Sequence, residues 1–164
     1  TLQSVTKSFT SAAVGIAIEQ GAIAGVEEPV LAFFPDREGI AHVDDRKRAM
    51  TLEDLLTMRS GTDYHERGPG SPHFQLNALP RDWTGFYLDR PMVADPGTTY
   101  QYDSGGVILM SAILEARTGQ HADAFLAAQA VGLTAPEDIA IYELHVRDFS
   151  WYDPGVDPPL EKTV

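Results

Sequence analysis

SVTKSFTSAAVGIAIEQG, residues 4–21, decides how the rest of the chain is read. Val5, Phe9, Ala12 and Ile16 recur at helical spacing, Ala13, Val14 and Ala17 widen the apolar stripe, and Gly21 suits a helix end. The spacing predicts a deeply buried helix over residues 4–20 with Val5, Phe9, Ala12 and Ile16 facing inward. The same stretch sets Ser4 three residues ahead of Lys7. On a helix, residues i and i+3 share a face, which brings a hydroxyl and an amine within hydrogen-bonding reach. An amine serves as a base only where apolar surroundings disfavour its charge, and the flanking alanine, valine and isoleucine are expected to supply them. A serine at a helix N-terminus also sits where N–H groups and the dipole favour an oxyanion. Taken alone, Ser-x-x-Lys reads more readily as a capping serine followed by a surface lysine.

Composition narrows the function classes. The chain has 164 residues, 43% of them hydrophobic, enough for one packed domain. Its formal charge is −12, which repels phosphate backbones and anionic lipid, so neither nucleic acid nor membrane is an expected partner. No cysteine occurs, which removes disulfides, thiolate metal sites and cysteine nucleophiles and leaves the compartment undetermined. The longest apolar run, residues 12–26, is broken by Glu19 and Gln20 before it reaches spanning length. The chain opens on Thr1 with the candidate serine three residues later, which suggests a fragment.

Further along, DDRKR at residues 44–48 reads as a solvated charged face. Thr51 with Asp54 resembles a capping box for a short helix carrying Leu52, Leu55 and Leu56, with Gly61 closing it. Residues 62–80, rich in glycine and proline, read as a long loop, and residues 81–92 as a short helix stopped by Pro91. PGTTYQYDSGG, residues 96–106, turns at Pro96-Gly97 and leads into a second buried helix that starts near Ser104, carries Val107, Ile108, Ala112 and Leu114, and stops at Gly119. The two apolar helices are expected to cover each other. A helical patch at residues 123–130 follows, then the only clear strand, at residues 138–146, and a proline-punctuated tail.

Residues 4–23, 51–64 and 96–120, in this order and spacing, resemble the serine β-lactamase and penicillin-binding-protein family, nearest its class C-like branch with family VIII esterases and 6-aminohexanoate-dimer hydrolases. The resemblance covers residues 1–131. It implies a mainly α fragment, the helical lobe of an α/β serine β-lactamase/transpeptidase-like fold, with one short C-terminal strand. It also implies Ser4 as the acylated nucleophile, Lys7 as its proton acceptor, Tyr102 as relay to the leaving group, and Ser104 as supporting third member of the Tyr-x-Ser motif. Small-molecule esters, amides or β-lactams are the implied substrates. The family's third element, Lys or His followed by Ser or Thr and Gly on a strand, has no counterpart: Arg117-Thr118-Gly119 closes a helix and Lys162-Thr163-Val164 lacks the glycine.

Residues 133–157 resemble the barrel start of pullulanase-type glycoside hydrolases, which suggests a second domain over residues 132–164 and a join near residues 131–134. Glu143, His145 and Asp148 acquire no catalytic role from that resemblance. The competing readings are therefore a weak or inactive serine hydrolase fragment, an α-glucan hydrolase fragment, and a non-catalytic helical fragment. Serine–histidine–aspartate chemistry lacks its Gly-x-Ser-x-Gly elbow. His42, His65, His73, His121 and His145 never fall at the helical spacing that would place two imidazoles on one ion, so neither metal nor cofactor is expected.

Overall fold

The computed structural model describes residues 3–79 and 82–130. The chain divides into two compact units, residues 1–126 and 127–164, and nearly all of the second, with the expected strand at residues 138–146, lies outside the described residues. A 3-10 turn, Gln3–Val5, leads into helix α1, Thr6–Glu19. Helices α2 (Asp45–Ala49), α3 (Leu52–Leu56), α4 (Pro72–Ala78), α5 (Trp83–Leu88), α6 (Ser104–Thr118) and α7 (Ala122–Ala130) follow. Among the described residues the extended backbone forms only two isolated antiparallel bridges, Pro29 with Thr51 and Thr62 with Met92. Among the described residues the architecture is helical, and no described helix is long and apolar enough to cross a membrane.

Helix α6 organises the unit and packs against α1, α3, α4 and α5. Its N-cap is Asp103, whose side chain accepts from Gly106 N–H, and its end is Gly119 at φ 71°, the left-handed conformation that costs glycine least. Leu109, Met110, Ile113 and Leu114 are buried along its length, each such side chain contributing roughly 1.5–3 kcal/mol of transfer free energy.

The two apolar helices do cover each other, and α1 buries the Ala13, Val14 and Ala17 flank of the expected stripe rather than its Val5 and Phe9 edge. Thr10, Ala13, Val14 and Ala17 are buried, whereas Val5 is 45% and Phe9 43% exposed, and Ala12 and Ile16 are half-buried. The buried set runs 10, 13, 14, 17, at the same helical period. Ala13 and Ala17 are small, and small side chains at a crossing let the axes approach.

The capping box of α3 forms as read: Thr51 N–H donates to Asp54 Oδ2 (2.8 Å) and Asp54 N–H to Thr51 Oγ1 (3.4 Å). Two expectations need correction. Residues 62–80 are not all loop, because Ser71 caps α4 by accepting from Phe74 N–H and Pro72 occupies its first turn, where a missing N–H costs nothing. The DDRKR run is not uniformly solvated. Lys47 is 1% exposed, and its Nζ donates to Ala41 O (2.7 Å) and Leu88 O (2.6 Å), pinning α2 to the end of α5. Burial pulls the Lys47 pKa below its ordinary value, against the opposing fields of Asp89 and Asp44.

Candidate active site

Ser4 lies in the 3-10 turn ahead of α1, and the N-cap position of that helix, Val5, makes no side-chain cap bond. The serine hydroxyl is therefore not spent on capping. Its Oγ is 2.7 Å from Tyr102 Oη and accepts from Lys7 Nζ at 3.3 Å. Lys7 Nζ also stands 5.0 Å from the centroid of the Tyr102 ring, within the range of a cation–π contact. The three side chains thus share one place, each touching the other two. Ser4 is exposed, Tyr102 is 37% exposed, and Lys7 is half-buried rather than enclosed by its apolar flank.

The first pair follows from local geometry, since one turn joins Ser4 to Lys7. Tyr102 comes from a loop that the core holds in place. Gln101 N–H donates to Met58 O (2.9 Å), and Gly97 N–H to Arg59 O (2.9 Å). Upstream, Val93 N–H and Ala94 N–H both donate to Gly61 O, at 2.8 and 3.1 Å. Gly61 has φ +75°, and a Cβ there would meet Ala94 O at 2.5 Å, so both its dihedral and its packing demand glycine.

Ser104 is the first residue of α6, and its backbone N–H donates to Glu66 Oε1 (2.9 Å). The neighbours Tyr64 and His65 have different surroundings. Tyr64 is 1% exposed, its ring lies 5.6 Å from that of Tyr87, and its hydroxyl is 3.1 Å from His73 Nδ1. Burial, reinforced by the charges of Asp103 and Glu66, pushes the Tyr64 phenol well above its ordinary pKa. It is a core residue. His65 Nδ1 sits 3.7 Å from Asp63 Oδ1 at the surface.

The sequence reading missed the buried polar group directly behind the site. Asp103, 3% exposed, accepts from Tyr87 Oη and from Ser60 Oγ (3.4 Å), and Thr62 Oγ1 donates to Tyr87 Oη (3.1 Å). Burial raises the Asp103 pKa to about 6 in spite of these hydrogen bonds, which pull it down. The available signal was an aspartate immediately before Ser-Gly-Gly at a helix start, a capping pattern. The glycines serve the same packing: a Cβ on Gly105 would stand 2.6 Å from both Tyr64 Cε2 and Tyr87 Cδ2.

The family model for beta-lactamase matches residues 1–153. The chain belongs to the beta-lactamase family. Over 120 residues it is 29% identical to an unguisins hydrolase of Aspergillus violaceofuscus, covering 71% of this chain and 21% of that protein. Among solved structures it resembles a protein described as a 6-aminohexanoate-dimer hydrolase from Bacillus anthracis (TM-score 0.55, 20% identity, 73% of this chain and 34% of that one). It is similar also to a protein described as a beta-lactamase from Bacteroides dorei (TM-score 0.57, 21% identity, 78% and 37%). EstCE1, a hydrolase with promiscuous acyltransferase activity, aligns at TM-score 0.59 and 22% identity over 79% and 37% of the two chains. The chain spans about a fifth of the curated relative and 34–37% of the solved chains. These structural likenesses establish the shared fold.

The family match runs straight through residues 131–134 and on to residue 153. The join expected there, and the glycoside-hydrolase reading of the tail, find no support. A short run alternating Ile, Tyr, Leu and Val suits the strand of many sheets, so it carries little specificity on its own.

Proposed function

We propose that this beta-lactamase-family chain carries the acyl-transfer chemistry of a serine hydrolase, with Ser4 as nucleophile and Lys7 and Tyr102 as its proton-handling partners. The observation that supports this best is the convergence of Tyr102 Oη and Lys7 Nζ on Ser4 Oγ, at 2.7 and 3.3 Å. Ser4 Oγ attacks the acyl carbon as its proton passes to Lys7 Nζ, which acts in this step as the uncharged amine, and Tyr102 relays a proton onward. The bond to the leaving alcohol or amine then breaks, and Tyr102 returns the proton to the departing atom. Water attacks the acyl-serine by the same route in reverse, releasing the acid and restoring the hydroxyl. The family's Tyr-x-Ser pattern would add Ser104, at the first position of α6, as a supporting group.

Small esters, amides or β-lactams are the substrate class. The relatives described as an unguisins hydrolase, a 6-aminohexanoate-dimer hydrolase and an acyl-transferring hydrolase favour acyl chemistry, and the solvent-open serine suits a small carbonyl compound. Turnover by the 164-residue chain is expected to be slow. No Lys/His-Ser/Thr-Gly triplet occurs in these 164 residues to supply the family's second oxyanion N–H, and losing one such donor costs on the order of 10²–10³ in turnover.

A fluorophosphonate probe tests the chemistry without requiring turnover. Labelling of Ser4, located by peptide mass and abolished in Ser4→Ala, is the expected result. An unlabelled Ser4 in folded protein would refute the reading and leave a helical portion of the family with no acyl chemistry of its own.

A further inference from the structure

Tyr102 has a half-open ring on a backbone gripped from both sides. Ahead of it, Gln101 N–H is bonded to Met58 O. Behind it, Asp103 uses both carboxylate oxygens: Oδ1 accepts from Gly106 N–H (2.8 Å), and Oδ2 accepts from Tyr87 Oη and Ser60 Oγ. Capping alone does not account for this aspartate. Asparagine and serine cap a helix about as well, and a carboxylate at 3% exposure carries a desolvation cost that they avoid. What a carboxylate adds is a charge-assisted bond, shorter and stiffer than a neutral one, to a tyrosine that is itself 1% exposed and wedged against Gly105. Thr62 Oγ1 stands 3.1 Å from that tyrosine's hydroxyl, and Ser60 Oγ lies 3.0 Å from both Tyr87 Oη and Thr62 Oγ1, so a closed group of three hydroxyls surrounds the Asp103 carboxylate.

We propose that Asp103 is a positioning residue for Tyr102: clamped between Tyr87 and the Gly106 N–H, it fixes the backbone from which the phenol reaches Ser4 Oγ. The inference rests on the acyl-transfer reading for what Tyr102 does, but not for where Tyr102 is held. A phenol displaced by about 1 Å loses its alignment, and misplacement of that size can cost on the order of a hundredfold in rate.

The test installs 3-fluorotyrosine at position 102 of the full chain and records its ¹⁹F spectrum, alongside the kinetics of fluorophosphonate labelling. The parent should give one sharp line displaced from that of unfolded chain. In Asp103→Ala the line should move towards the unfolded position. The maximal labelling rate should fall at least tenfold, with little change in the probe concentration giving half that rate. Asp103→Asn should restore the line and the rate only in part, because it loses the charge-assisted bond to Tyr87 Oη. Its Oδ1 still caps Gly106 and its amide can donate to Tyr87 Oη. Tyr87→Phe should fall between the two. A line and rate unchanged in Asp103→Ala, with helical circular dichroism intact, would overturn the proposal. If Asp103→Ala does not fold, Tyr87→Phe decides, and parent-like values in that variant would overturn it equally. If the parent is never labelled, the acyl-transfer reading fails and the ¹⁹F line alone settles the positioning.

Discussion

Ser4 Oγ and Tyr102 Oη lie 2.7 Å apart although their residues are 98 positions apart in the chain. Lys7 Nζ completes the group from one turn away on α1. Ser4→Ala should abolish fluorophosphonate labelling, and Tyr102→Phe should lower its rate by roughly 10²–10⁴, the usual range for a positioned acid or base. Lys7→Met, which keeps the stem and removes the amine, should fall in the same range. Labelling time courses on variants with unchanged circular dichroism check all three, and wild-type rates in Tyr102→Phe would remove the phenol from the mechanism.

Asp103 predicts an unusual pH dependence of stability. Its folded pKa of about 6 lies above the ordinary 3.8, so the folded state binds this proton more tightly than the unfolded chain does. The stabilisation is complete below about pH 3.8 and is lost as pH rises through about 6, amounting to on the order of 3 kcal/mol at most. The titratable groups set against it are Tyr87 on α5 and, from the loop ahead of α4, Tyr64 and Glu66, which are neutral or acidic. Asp103→Asn does not titrate, so its stability relative to the parent should rise between pH 4 and pH 8. Urea denaturation of both proteins across that range measures the gap, and a gap that closes as pH rises would contradict the assignment.

Gly105→Ala sets two effects against each other. Alanine gains up to about 1 kcal/mol of helix propensity over glycine. Its Cβ, however, would stand 2.6 Å from two buried tyrosine rings that have no flexible end to yield, and overpacking of this kind costs about 1–3 kcal/mol. The variant should be less stable by urea denaturation and should label more slowly, because the Tyr87 ring that moves is bonded to Asp103.

Lys47→Ala should destabilise by roughly 2–5 kcal/mol, since Ala41 O and Leu88 O lose their donor in a buried place. Arg48→Ala, one residue on and paired at the surface with Asp45, should change stability by less than about 1 kcal/mol. Equal, small effects in the two variants would show that Lys47 reaches water.

What the sequence determined by itself is what neighbouring residues decide among themselves. The Ser4–Lys7 pair needs one turn of chain, the Thr51–Asp54 capping box needs four residues, and the start and stop of α6 lie in Asp103-Ser104-Gly105 and in Gly119. Period and caps are short-range physics, and α1, α5, α6 and α7 lie where they were expected, whereas α2 and α4 fall in stretches read as a solvated run and a loop, and α3 stops at Leu56 rather than at Gly61. The helix α4 carried its own local signal, Ser71-Pro72, which the glycines and prolines around it obscured. Tertiary structure alone decided the rest, because those features depend on atoms distant in the chain. Which side of α1 is buried was open, since apolar residues surround nearly the whole helix and only contact with α6 selects Thr10, Ala13, Val14 and Ala17 over Val5 and Phe9. Lys47 is buried because Leu88 O, 41 residues on, replaces its water. Asp103 keeps its carboxylate out of solvent because Ser60 and Tyr87, 43 and 16 residues away, supply the hydrogen bonds that desolvation removes.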